Sequence, residues 1–213
     1  MPIASALSIN TAATADTLMQ TIFGNGVTIT AGTASVTGVA GQSATYSGGD
    51  ATLGDIAPGD TGVILSTGNA SDFTNTGDGV STNTNTSAGT STNHSGAGDA
   101  DLDAASGQTT FDAVVMEADF TTTGDFITML FTFSSEEYLE YVNGGVNDAF
   151  GVWINGTYAP FTPASNDLVS IDTINNVTNS NLYLNNDATA DTYNTEMDGT
   201  TVTMSIKAPV NST

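Results

Sequence analysis

Cysteine and arginine are absent from this chain, and lysine and histidine occur once each, as Lys207 and His94. Without cysteine there is no disulfide framework, no thiolate metal centre and no thiol nucleophile. Without a set of cationic side chains nothing neutralises phosphate, which argues against nucleic acid and anionic membranes as partners. No apolar run approaches the length of a membrane helix, so membrane insertion is not expected. Residues 1–8 lack the basic and apolar regions of a Sec-type signal peptide, so the expected export route is one without such an address.

What the chain does have is acid. Twenty-three Asp and Glu give a formal net charge of −22, and eighteen of them are Asp. Many stand beside Gly or Asn, and short carboxylates on turns are the material of hard-cation oxygen cages. The other reading is a generally acidic surface suited to salt water, where ions screen the self-repulsion. Hydrophobic residues make up 38% of the chain, with nine Phe and six Tyr, enough for one sizeable core.

The local patterns are mostly those of strands. Residues 15–24 form the best helix of the first half, with Leu18, Met19, Ile22 and Phe23 on one face and Gly24 as a stop. Short strands are expected at 27–30, 34–37 and 62–66 between Gly-rich turns. From 75 to 98 the chain is almost wholly Thr, Asn, Ser, Gly and Ala, and reads as a long surface excursion. Strong strands are expected at 111–120 and 126–133. In the latter Phe126, Thr128 and Leu130 take one face, and Ile127, Met129 and Phe131 the other. A further strand is expected over 150–156, running into a turn at Asn155-Gly156, and others at 182–184 and 200–207. The whole, 1–213, reads as one mainly β domain, an antiparallel β-sandwich of jelly-roll type with one or two short helices.

Two acidic constellations are candidates for Ca2+. In the first, Asp99, Asp101 and Asp103 alternate. They begin like an EF-hand loop, but Ala104 and Thr110 stand where that loop needs Gly and Glu. The expectation is an extended loop aiming carboxylates at one ion, set against a solvated acidic loop. In the second, Glu136 and Glu137 follow the strongest strand. Ser134 and Glu137 have capping-box spacing, which predicts a helix start and accounts for one glutamate. Glu136 and Glu140 would then share a helix face, where like charges repel unless a cation intervenes. Asn147 and Asp148, after the Gly144-Gly145 turn, add two further oxygen ligands.

Catalytic readings fare worse. His94 lies beside Ser95 in the low-complexity stretch, a poor scaffold for a Ser-His-Asp triad. Glu136 with Asp148 offers a carboxylate pair for polysaccharide hydrolysis, a weak signal in so acidic a chain. The alternating threonines 82–86 are one short run, better read as part of the excursion than as a hydroxyl array for ice or glycan.

Taken in order, several blocks resemble the choice-of-anchor L domain of bacterial surface and secreted proteins. They are Gly24-Asn25-Gly26-Val27-Thr28-Ile29, the run from Thr61 to Asn69, Gly98-Asp99-Ala100-Asp101-Leu102, and the run from Phe111 to Phe120. Phe133-Ser134-Ser135-Glu136-Glu137-Tyr138 and Asn147-Asp148-Ala149-Phe150-Gly151 complete the match. The resemblance implies adhesion or surface display, extracellular or on the cell surface, with a surface glycan or protein as ligand and no settled catalytic activity. It also agrees with calcium at Glu136, Glu137 and Asp148. Members usually continue past the strand at 200–207, so the expectation is either a truncated C-terminus or a sandwich lacking a closing strand. An open sheet edge of that kind would allow self-association by strand addition, and a polymer-forming subunit is the alternative function.

Overall fold

Side-chain alternation along two six-residue strands locates the main core of the chain. The computed structural model describes residues 6–74, 92–161, 167–190 and 192–210. Residues 75–91, most of the expected surface excursion, lie outside them, and so do the threonines 82–86. Phe126–Phe131 pairs antiparallel with Met204–Pro209, Thr128 opposite Lys207. Ile127, Met129 and Phe131 turn inward from the first strand, and Met204, Ile206 and Ala208 from the second. Val169, Ile174 and Ala159 close this core, with Phe133, Phe150 and Tyr183 packed against it. Each large side chain fully buried there contributes about 1.5–3 kcal/mol.

The first half builds a second apolar cluster. Ser8–Asn10, Ser43–Ser47 and Thr61–Leu65 form a three-stranded antiparallel sheet with the middle segment at its centre. Tyr46 projects from it onto Leu7, Leu53 and Ile56. The helix Ala15–Ile22 buries Leu18 and Met19, and Thr14 caps its start by accepting from Thr17 N–H.

All strand pairs among the described residues are antiparallel, and the architecture is the mainly β sandwich that the strand spacing predicts. The strands are shorter than expected. The stretch 111–120 gives Val115–Glu117, then the start of Phe120–Thr122, because Asp112 takes a positive φ of 50° and breaks the extended backbone. The stretch 150–156 divides into Ala149–Phe150 and Trp153–Ile154. The second of these turns back through Asn155-Gly156, both at positive φ, to Thr157–Tyr158. That is the two-residue hairpin for which Asn-Gly is the strongest local signal. The stretch 200–207 divides likewise into Gly199–Thr201 and Met204–Pro209.

Candidate functional site

A small sheet positions the second acidic constellation. Gly199–Thr201 runs between Tyr183–Asn185 and Ser134–Ser135, with Gly199 opposite Ser135. Gly199 has to be glycine, since a Cβ there would lie 2.5 Å from Tyr138 Cδ2 and 2.8 Å from Tyr183 Cε2. The two tyrosine rings close over it at 4.9 Å between centroids. Tyr138 is buried and donates its hydroxyl to Ile174 O at 2.7 Å, which fastens the acidic turn to the main core.

Residues 136–145 form a succession of turns where the capping-box spacing predicts a helix. The reason lies in which serine is used. Ser134 Oγ is engaged with Thr200 Oγ1 at 2.9 Å across the sheet. Ser135 Oγ instead accepts from Glu137 N–H at 2.9 Å and donates to Asp148 Oδ2 at 2.8 Å. A two-residue side-chain turn thus replaces the helix cap. Glu136 and Glu140 share no helix face: Glu136 is buried and Glu140 exposed.

The structure brings Glu137 and Asp148 together. Burial pushes the Asp148 carboxyl above its ordinary value, opposed by the Ser135 hydrogen bond. Glu137 is raised as well, first by burial, then by the charges of Asp148 and Glu140. Two carboxylates thus share a buried setting that disfavours their charge, and the charge of Asp148 disfavours that of Glu137 further. Asn147 serves the frame: its Oδ1 accepts from Asp172 N–H at 3.3 Å, and Asp172 in turn accepts from Asn143 N–H.

The first constellation is differently used. Asp99, Asp101 and Asp103 lie not in an extended loop but at the start of the helix Ala100–Ser106. Asp99 is its N-cap, accepting from Asp101 N–H and Leu102 N–H at 3.0 Å each. Asp103 binds Thr110 through both N–H and Oγ1, which holds its carboxyl below the ordinary value. Asp101 sits exposed in the first turn, where a negative charge meets the positive end of the helix. This helix lies against Ala149–Phe150, so the two constellations flank one short strand. Among the described residues no three His, Cys, Asp or Glu side chains gather as a ready-made metal cage.

Two further places bear on chemistry. His94 is held through its main-chain N–H to Asp112 Oδ2 at 3.0 Å, and its buried Nε2 has no hydrogen-bond partner among the described residues, so no serine is paired with it there. A depression of about 280 Å³ is lined by Thr37, Val39, Gln42, Gly96, Ala113 and Val115 among others. The Gln42 amide is engaged with Val39 N–H, Thr67 O and Asp112 O.

Sequence reasoning missed Ser135, which joins both carboxylate segments, and Asn175, which orders the neighbouring loop 171–178. Asn175 is fully buried and uses its whole amide: Nδ2 donates to Ile171 O and Asp172 O, and Oδ1 accepts from Val177 N–H and Thr178 N–H. The one available signal for Ser135 was its spacing of two from Glu137.

Residues 8–213 match the family described as Choice-of-anchor L domain, and the chain belongs to that family. It is thereby a surface-associated bacterial module. No curated protein matches the chain, and no solved structure matches it.

Proposed function

We propose that the chain is a non-enzymatic, calcium-stabilised module for adhesion or surface display outside the cell. One arrangement carries the reading: the Ser135 hydroxyl ties Asp148 to the main chain of Glu137, in a setting where burial pushes both carboxyls up and the charge of Asp148 raises Glu137 further. The one lysine of the chain does not relieve them, since Lys207 sits over the Phe126 ring at 4.5 Å. A divalent cation would offset the repulsion of two adjacent carboxylates. Calcium suits the donor set, because it takes six to eight oxygens in flexible geometry and accepts hydroxyl, carbonyl and water beside carboxylate. Asp148 and Glu137 would hold it, with Glu136, Asn147 and the Ser135 hydroxyl beside them. Asp99 and Asp103 already spend their carboxylates on a helix cap and a turn. Family membership supports the surface setting, and a surface glycan or protein is the expected ligand.

The test is a thermal melt in calcium, in magnesium at matched ionic strength, and in EDTA, for the wild type and Asp148→Asn. Calcium should raise the wild-type midpoint beyond the magnesium value, and the excess should vanish in the variant. Equal shifts with both salts would reduce the acidity to a matter of screening and end the calcium reading.

A further inference from the structure

The ribbon of Phe126–Phe131 and Met204–Pro209 carries the one lysine of the chain, and like every described strand but Val115–Glu117 it contains no Asp or Glu. The inner face is core. On the outer face Phe126 and Leu130 are each 54% exposed, with Thr128 exposed between them. Among the described residues each strand pairs only with the other, which leaves each with one edge that no described strand covers. The edges are not equivalent. Met204–Pro209 carries Lys207 and ends in Pro209, two devices that blunt strand pairing. The sequence Phe-Ile-Thr-Met-Leu-Phe of the other strand has high β-propensity, no charge, no Gly and no Pro.

We infer that the Phe126–Phe131 edge pairs antiparallel with the same strand of a second copy, about a two-fold axis at Thr128. Self-complementarity selects that occupant. Directly opposed residues of an antiparallel pair share a face, so a two-fold axis has to pass through a residue and not between two. Centred on Thr128, the ladder sets Phe126 against Leu130 of the second copy, twice, and Ile127 against Met129 on the inner side. Both exposed apolar residues are covered by one operation. Centring on Met129 would set Leu130 against Thr128 and leave Phe126 beyond the strand. Two chains of −22 repel through most of their surface, and in this ladder the nearest acid in sequence, Asp125, falls at its end opposite Phe131 of the second copy, so pairing calls for screening by salt. The inference is independent of the calcium reading, and the experiment omits calcium.

Sedimentation in EDTA and high salt, where the screening length falls to about 3 Å at 1 M, should show a mass that doubles with concentration. Leu130→Asp should keep the wild-type melt and stay monomeric. Register is read by cross-linking, since the chain has no native cysteine. Thr128→Cys should form a disulfide-linked dimer under mild oxidation, because its two copies face each other. Ser205→Cys, exposed on the neighbouring strand, should not. A monomer at every concentration, a Leu130→Asp variant that still dimerises, or equal cross-linking at both positions would each overturn the inference.

Discussion

Ser135 donates a 2.8 Å hydrogen bond to Asp148, and the same oxygen accepts from the main chain of Glu137. One small hydroxyl therefore ties together the two segments whose carboxylates repel each other. Ser135→Ala leaves Asp148 without this bond and the Glu137 N–H without its acceptor. Losing a hydrogen bond to a charged group costs about 1.5–3 kcal/mol. In EDTA at neutral pH the melting midpoint should fall by roughly 5–10 °C for a chain of this size. Since that bond is what opposes the effect of burial, the Asp148 carboxyl should also titrate higher, which side-chain NMR of the carboxyl carbon would show.

Acid should stabilise this site when no metal is present. Asp148 and Glu137 have folded-state values raised above their ordinary ones. Between the ordinary and the raised value the folded state binds more protons than the unfolded state. Stability therefore rises as pH falls through the raised value and levels off below the ordinary one. The other carboxylates cancel when wild type is compared with Asp148→Asn, so the difference between their pH–stability curves isolates the effect. The wild type should gain on the variant as pH falls from 7 toward 4 in EDTA. In calcium the proton competes with the metal, and the calcium-induced shift should shrink over the same interval.

Asp99 separates a helix cap from a metal ligand. Asp99→Ala removes the acceptor for Asp101 N–H and Leu102 N–H. Loss of such a cap costs about 0.5–2 kcal/mol. The midpoint should drop by the same amount in calcium and in EDTA. A larger drop in calcium would return Asp99 to the metal site.

Gly199 can be tested by adding a single methyl group. In Gly199→Ala the new Cβ meets the rings of Tyr138 and Tyr183. Overpacking of this kind costs about 1–3 kcal/mol. Because the tyrosines must move, the near-ultraviolet circular dichroism should change as well as the urea midpoint. An unaltered spectrum with unaltered stability would mean that the rings yield freely.

The parts of the fold that were legible in sequence are those where side chains report their own environment. Phe126–Phe131 alternates large apolar side chains on its inner face, and Asn155-Gly156 demands a tight hairpin turn. The turns after Ser135 were less legible, since Ser134 fits the spacing of a helix cap and Ser135 fits that of a shorter turn. Pairing with Thr200, 66 residues away in sequence, decides between them by engaging Ser134. The alternating aspartates were opaque for a similar reason: Asp99 looks like a ligand and acts as a cap. Asn175 and Asn186 stand in polar runs where no motif or periodicity marks them out. Each nonetheless has zero exposure and organises the backbone around it. Burial of a short polar side chain leaves no trace in local pattern, because the groups it satisfies are main-chain ones.

The Asn175 amide does for its loop what a covalent cross-link does in many exported proteins. It clasps Ile171 and Asp172 on one side and Val177 and Thr178 on the other, using a group that neither titrates nor changes oxidation state. A loop fastened in this way forms alike in a reducing cytoplasm and in aerated water. It needs no oxidase to be made, and no reductant can undo it.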